Sequence, residues 1–461
     1  MTMTHHVFKP TILREYDIRG IVNETVFEAD AEAIGRSFGT FVKQKGLDSV
    51  AVGMDGRKTS PMLKAALIRG LLSTGVDVYD VGLGPTPMLY FATYELGTGG
   101  GIMITGSHNP PTHNGFKMML AGKSFFGAQI QELGKLSASG PFASGKGKLV
   151  DRPIMDEYVT RLLRDVTGGR ELSVVWDCGN GATGEALRQV VAKLPGRHML
   201  LFDEIDGSFP NHHPDPTVAE NLQDLIQAVK GIDADLGIGF DGDGDRIGVV
   251  DGLGRIIWGD QLLAILAREV LKDNPGAPII ADVKASQLLF DAIRNAGGDA
   301  IMWKTGHSLI KSKMQEVNAP LAGEMSGHIF YNDHFYGYDD AIYVALRLLN
   351  IVRTSEKSLA AMRDDLPDMI NTPELRFNCP DEEKFDAVER IRDALAADGA
   401  NFSDIDGVRV NTQDGWWLLR ASNTQAVLVA RCEARDEDGL VRLKSQLQTA
   451  LAKANVDAPT F

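Results

Sequence analysis

Apolar and polar positions alternate along this chain in a unit that is met three times. Residues 50–55, Val-Ala-Val-Gly-Met-Asp, form a short apolar run closed by a carboxylate, which predicts a buried strand. The loop Gly-Arg-Lys-Thr-Ser-Pro follows. Leu63, Ala66, Leu67, Gly70 and Leu71 then recur at three- and four-residue spacing, the period of a helix with one apolar face. A second strand is predicted over residues 76–81. The same order returns at 173–177 (Ser-Val-Val-Trp-Asp), with the loop Cys-Gly-Asn-Gly-Ala-Thr-Gly, a helix from Glu185 and a strand at 199–203. It returns again at 278–282 (Pro-Ile-Ile-Ala-Asp), with the loop Val-Lys-Ala-Ser, a helix and a strand at 299–303. Three strand–helix–strand units of one design predict three similar α/β domains. From about residue 367 the pattern changes. Residues 372–379 predict a strand, 385–397 a helix, 408–411 and 416–420 a hairpin, 426–433 a strand and 440–452 a last helix. This portion is expected to be a smaller α+β domain. The Ser/Gly/Ala-rich stretch 137–148 predicts a domain edge or flexible turn, and a helix near Ile154 opens the second domain. The expected limits are 1–153, 154–253, 254–366 and 367–461.

Each unit leads into a loop chemically unlike its surroundings. In the first, Gly101-Ile102-Met103-Ile104 runs into Thr105-Gly106-Ser107-His108-Asn109-Pro110-Pro111. The prolines prevent immediate helix formation, so Ser107 is displayed as a nucleophile is, beside an imidazole. In the second, Asp241, Asp243 and Asp245 alternate with Gly242 and Gly244 before Arg246. In an extended segment this spacing puts three carboxylates on one face. Crowded carboxylates call for a cation, and hard oxygen ligands favour Mg²⁺ or Ca²⁺. An EF-hand loop would need Gly at 246 and Glu at 252, where Arg and Gly stand, so Mg²⁺ shared with a phosphate oxygen fits better. In the third, Glu324, Ser326 and His328 alternate with Met325 and Gly327, an acceptor, a hydroxyl and an imidazole suited to sugar hydroxyls. Loops from three stacked domains would point at one crevice. In the last portion Arg420-Ala421-Ser422-Asn423-Thr424 offers donors that match a phosphate. Lys117, Lys284 and His307 stand near expected strand ends, and Tyr16 and Arg19 flank an expected turn before Gly20.

Composition narrows the partners. The 461 residues carry a net charge of −15, which argues against nucleic acid or an acidic membrane as the main partner while leaving room for a locally basic pocket. Cys178, Cys379 and Cys432 are too sparse for a disulfide framework or a zinc site. No apolar run approaches the ~20 residues that span a bilayer, and residues 1–6 lack the apolar core of a signal peptide. The cytoplasm is the expected location.

Together, Thr-Gly-Ser-His-Asn-Pro, Asp-Gly-Asp-Gly-Asp-Arg, Gly-Glu-Met-Ser-Gly-His and Arg-Ala-Ser-Asn-Thr resemble the four signature loops of the α-D-phosphohexomutase superfamily, in its order and over nearly the whole chain. The third loop is most similar to the phosphomannomutase/phosphoglucomutase branch; phosphoglucosamine mutases usually carry Gln where Met325 stands. The family often has Glu-Pro where this chain has Gln425-Ala426. The resemblance implies three mixed α/β domains and a C-terminal α+β domain around a central cleft. It implies that hexose 1-phosphate and hexose 6-phosphate are interconverted through a bisphosphate intermediate. Ser107 would be the phosphoserine, and Asp241, Asp243 and Asp245 would hold Mg²⁺ with a phosphoserine oxygen. Glu324 and Ser326 would grip the 3- and 4-hydroxyls, and Arg420, Ser422, Asn423 and Thr424 the phosphate not being transferred. Tyr16, Arg19, His108, Lys117, Arg246, Lys284, His307 and His328 match positions lining the cleft, with Lys117 and His328 candidates for proton handling or charge stabilisation. Glucose 1,6-bisphosphate is the expected activator and phosphorylated hexoses are the expected substrates. A monomer is expected, with a small homo-oligomer as the alternative, and the last domain should close on binding. The rival readings are a phosphoglucosamine mutase, a serine/metal phosphohydrolase and a non-catalytic sugar-phosphate sensor.

Overall fold

The computed structural model describes residues 5–423, 425–454 and 456. Its first three sheets share one plan. The first βαβ unit pairs Ser49–Met54 in parallel with Asp77–Leu83, and Gly100–Ile104 joins the other side of Ser49–Met54, also parallel. His113–Leu120 then returns antiparallel to Gly100–Ile104. The second sheet repeats this order with Gly196–Leu201, Leu172–Asp177, Leu236–Phe240 and the antiparallel Ile247–Asp251. The third repeats it with Asp299–Trp303, Pro278–Asp282, Leu321–Gly323 and the antiparallel Ile329–Tyr331. In every copy the chemically distinct loop is the hairpin joining the third parallel strand to the antiparallel one. All three hairpins therefore lie at the carboxyl end of a central parallel strand, where an open α/β sheet leaves a crevice.

The first sheet is extended at both edges. Ile18–Ile21 pairs with His113–Leu120, and Leu149–Asp151 pairs with Asp77–Leu83. Arg19 and Gly20 thus lie within a strand; the expected turn falls earlier, at residues 15–17, closed by a bridge between Leu13 and Ile18. The stretch expected to be a loose edge is partly helical, since Ala128–Ser139 is a helix. Beyond it, Gly145 and Gly147 donate backbone hydrogen bonds to Ser73 and Leu72, which pins the segment to the first domain.

One apolar cluster runs through the first three domains, joining Met88 and Phe91 to Trp176, Leu262 and Tyr343. The fourth sheet is entirely antiparallel, has its own core and carries the helices Lys384–Ala397 and Glu437–Lys453. The strand expected over 372–379 is confined to Leu375–Asn378, and Pro373, which supplies no ladder donor, separates it from the short strand Ile370–Asn371 that precedes it. This domain docks on the loop after Asp282. Arg409 stacks on Trp416 at 3.7 Å and donates to the carbonyls of Val283 (2.6 Å) and Ala285 (2.8 Å). Arg431 donates to the Lys284 carbonyl at 2.7 Å, and Glu433 accepts from the Gln287 amide at 3.0 Å. Among the described residues no helix is long and apolar enough to cross a membrane.

Candidate active site

The hairpins and the last domain enclose a cavity of about 720 Å³. Its walls include Tyr16, Arg19, Ser107, His108, Lys117, Arg246, Lys284, His307, Glu324, Ser326, His328, Arg420, Ser422 and Asn423, so these predicted site residues meet in one place. Asp241, Asp243 and Asp245 lie just beneath, fully buried. Thr424 lies outside the described residues.

The three aspartates do not alternate along an extended face, as their spacing suggested. They converge through a tight turn in which Gly244 takes a left-handed φ of 75°. Asp241 Oδ1 accepts from the backbone amides of Gly244 (3.0 Å), Asp245 (3.1 Å) and Arg246 (3.2 Å), so the loop organises itself around one of its own carboxylates. The Lys117 ammonium pairs with Asp243 at 2.7 Å and with Asp245. Thr86 donates to Asp243 through its hydroxyl at 2.5 Å. Burial, then repulsion from Asp243 and Asp245, pushes the Asp241 carboxyl well above its ordinary value. Burial acts the same way on Asp245, but Lys117 and His328 outweigh it and hold that carboxyl well below its usual range. Oxygens of the three carboxylates lie within 4.8 Å of one another, and Asp243 Oδ1 is buried without a hydrogen-bond partner. A buried oxygen left unsatisfied in a crowded acidic cluster fits a hard divalent cation.

Ser107 sits against this cluster, its Oγ donating to Asp241 Oδ2 at 2.8 Å. His108 Nδ1 is 3.2 Å from the same Oγ. Burial, reinforced by Arg246, Arg19 and Lys117, holds the His108 ring well below its ordinary pKa and therefore neutral near pH 7. The attraction of Asp243 and Asp245 overcomes burial at Lys117, whose pKa is raised well above its ordinary value. Lys117 is thus a fixed positive charge.

The third hairpin is also a turn, with Gly327 at φ 84° and the Glu324 amide donating to the His328 carbonyl at 2.8 Å. The side chains of Glu324, Ser326 and His328 converge nonetheless. His328 Nδ1 is 3.2 Å from both Glu324 Oε2 and Ser326 Oγ, and its Nε2 is 3.3 Å from Asp245 Oδ1. Burial opposes charge on this ring, but Asp245 and Glu324 prevail and its pKa rises to about 9. Arg246 Nε is 3.4 Å from the same Nε2; with the ring protonated this contact is an approach of two cations rather than a hydrogen bond. His307, stacked on His328 at 5.4 Å, is held well below its ordinary pKa by burial and by Lys311.

The last domain closes the far side. Asn423 donates to the Tyr16 hydroxyl at 2.7 Å, which donates to the Thr305 carbonyl at 2.8 Å, linking the first, third and fourth domains. Arg420 Nε pairs with Asp406 at 2.9 Å, and Lys284 with Glu374 at 3.2 Å. Glu374, Arg376, Arg431, Asp215 and Trp258 carry no motif in the sequence, and only the packing of the domains brings them to the cleft; Asp406 lies behind it, paired with Arg420. Asp406 falls in the unremarkable turn Asp-Ile-Asp-Gly, and no local pattern marks it.

Four family models cover most of the chain in order. They are phosphoglucomutase/phosphomannomutase alpha/beta/alpha domain I (residues 10–143), domain II (156–254), domain III (258–370) and the C-terminal domain (374–450). The chain belongs to the phosphoglucomutase/phosphomannomutase family. Among relatives in that family, the phosphomannomutase/phosphoglucomutase of Pseudomonas putida is 46% identical over 443 residues, covering 96% of each chain. The phosphoglucomutase of Neisseria gonorrhoeae is 43% identical over 444 residues, covering 95% of this chain and 96% of that one. A crystal structure of a phosphoglucomutase/phosphomannomutase family protein from Burkholderia thailandensis superposes with a TM-score of 0.93 at 43% identity, covering 98% of this chain and 99% of that one. The four mixed sheets are thus those of the phosphoglucomutase/phosphomannomutase fold.

Proposed function

We propose that this protein is an intramolecular phosphotransferase that interconverts the 1-phosphates and 6-phosphates of glucose and mannose, with Ser107 carrying the transferred phosphoryl group. The observation that carries the reading is Ser107 Oγ 2.8 Å from Asp241, in a cavity also lined by Arg420, Ser422 and Asn423. A phosphoryl donor and a phosphate grip thus line one cavity, of about 720 Å³. Family membership and relatives named for both sugars support the same reaction.

In the first half-reaction the bond between Ser107 Oγ and phosphorus breaks and a bond from the sugar's free hydroxyl to phosphorus forms. The hydroxyl proton passes to a base in the cleft; His108, neutral beside Ser107, is placed to take it. The resulting bisphosphate turns end for end without leaving. In the second half the other phosphoryl group returns to Ser107 Oγ, and the sugar oxygen it leaves regains a proton. Lys117, Arg246 and protonated His328 offset the charge on the moving group, and Arg19 lines the same cavity. Glu324 and Ser326 take the 3- and 4-hydroxyls, contacts that survive the turn. Arg420, Ser422 and Asn423, with Thr424, Tyr16, Lys284 and His307 around them, hold the idle phosphate in either orientation. Asp241, Asp243 and Asp245, with an oxygen of phosphorylated Ser107, would hold Mg²⁺, which supplies Lewis-acid charge neutralisation when bound. Glucose 1,6-bisphosphate would recharge Ser107 and so act as activator. The same reading takes the protein as a cytoplasmic monomer, with domain limits after residues 153, 253 and 366 and a fourth domain that closes on substrate.

A coupled assay with the 1-phosphates of glucose, mannose and glucosamine side by side tests the proposal. Glucose and mannose, which differ at the 2-hydroxyl alone, are expected to turn over with comparable kcat/KM and glucosamine more slowly. Ser107→Ala should abolish turnover of all three; retention of full activity by that variant overturns the reading.

A further inference from the structure

Ser107 has a left-handed backbone, φ 49°, which a residue with a side chain holds only when its surroundings impose it. The Ser107 amide donates to Thr105 Oγ1 at 2.8 Å, and the carbonyl side of the loop is held by one side chain that the cleft never sees. Arg57 is 1% exposed and is not among the residues lining the cavity. Its Nη2 donates to the carbonyls of Ser107 (2.7 Å) and Asn109 (2.6 Å), and its Nη1 to those of Pro110 (2.7 Å) and His113 (2.9 Å). All four terminal N–H groups are spent on one loop. A planar fork of donors does this and an ammonium cannot, since it has three donors and no fixed plane.

The guanidinium is itself held from three sides. Asp55, the carboxylate that ends the first strand of the repeated unit, lies 3.2 Å from Arg57 Nε and accepts from the Arg57 amide at 3.0 Å. The Asp55 oxygen beside Arg57 Nε, Oδ2, also accepts from the Gly106 amide at 3.1 Å, while Oδ1 takes the Arg57 amide, so Asp55 and Arg57 grip the residues on either side of the Ser107 amide. Gly106 lies flat on the guanidinium: a Cβ there would stand 2.5 Å from Arg57 Cζ. From the second domain, Phe209 stacks on the outer face with its ring centre 5.1 Å from Cζ, and Gly207 packs so closely that a Cβ would be 2.4 Å from Arg57 Cα.

We propose that Arg57, seated by Asp55 and backed by Phe209 of the second domain, is the positioning residue that aims Ser107 Oγ at the metal loop and the sugar. The proposal rests on Ser107 being the phosphoryl carrier, as argued above. Arg57 touches neither substrate nor the aspartate cluster. Its loss should therefore spare substrate binding and slow the transfer step, because a misplaced nucleophile loses alignment without loss of affinity.

The test compares Arg57→Lys and Arg57→Ala with the native enzyme, referring activity to the folded fraction measured by circular dichroism. Arg57→Lys keeps charge and most of the volume should the alanine variant not fold. The expected result is a fall in kcat of about 10- to 100-fold, the usual cost of losing a supporting contact behind a reacting group. KM for glucose 1-phosphate should stay within about threefold, since uniform binding is untouched. The rate of Ser107 phosphorylation by glucose 1,6-bisphosphate, followed by intact-protein mass spectrometry, should fall in parallel with kcat. Added guanidinium should restore part of the rate to Arg57→Ala by refilling the buried slot. Native kcat in Arg57→Lys, or a rise in KM with kcat unchanged, overturns the proposal. If Ser107→Ala is inert while Arg57→Lys is fully active, the phosphoserine reading stands and this inference alone falls.

Discussion

The hairpins at 105–112 and 241–246 occupy the same place in two copies of one sheet, yet they are held in opposite ways. The first is gripped from outside. The strand-ending Asp55 accepts from the Gly106 amide, and Arg57 takes the carbonyls. The second is gripped from within, by Asp241, which collects three amides of its own turn. The strand-ending carboxylate of that copy, Asp177, is released from the task and pairs with His212 at 2.9 Å instead. The third hairpin reverts to the first arrangement: Asp282 accepts from the Met325 amide at 3.1 Å and from the Thr305 hydroxyl at 3.2 Å. One scaffold therefore offers a carboxylate at the base of every functional loop. A loop that brings its own acceptor leaves that carboxylate free for other use.

The contrast can be broken first at Asp241, which serves as both anchor and ligand. Asp241→Asn keeps an oxygen for the three amides and removes the charge beside Ser107. We expect a folded protein whose kcat/KM is lower by ~10²–10³-fold, the scale of losing one charge contact at a reacting centre. Native far-ultraviolet circular dichroism with low turnover would separate the two duties; an unfolded variant would show that the charge also holds the turn.

A smaller effect is expected at Asp282. Asp282→Ala leaves the Met325 amide and the Thr305 hydroxyl without their acceptor and loosens the loop that carries Glu324 and Ser326. KM for the hexose phosphates should rise by ~10-fold, about the worth of one charge-assisted hydrogen bond. An unchanged KM would mean that the hairpin holds its shape without this anchor.

The smallest effect, and one on stability alone, belongs to the freed carboxylate. Burial works to lower the His212 pKa, but the hydrogen bond and charge of Asp177 raise it above the ordinary 6.5. The folded protein therefore binds this proton more tightly than the unfolded chain does. The stability so gained is complete below pH 6.5 and is lost as pH rises through the folded value. Asp177→Asn should lower Tm by a few degrees at pH 6 and by less at pH 8, with kcat unchanged at both. A fall in kcat equal to that of the Asp282 variant would show that Asp177 anchors the metal loop after all.

Much of this protein was determined by local sequence. Apolar runs of strand length and helical spacing set the elements, because burial periodicity is a property of neighbouring residues. Hence Pro278–Asp282, Asp299–Trp303 and Val408–Asn411 fall where the pattern put them. The four loops were legible for a related reason: each is a short contiguous stretch whose chemistry is unlike its surroundings. What local pattern misjudged was loop geometry. Asp241, Asp243 and Asp245 meet through a glycine turn rather than along a strand, since a hairpin must reverse within a few residues. Only the tertiary structure decided that Lys117 stays charged, that His108 stays neutral, and that Glu374 faces Lys284 from another part of the chain. Those outcomes depend on burial and on charges brought together from distant positions, and no window of neighbouring residues contains them.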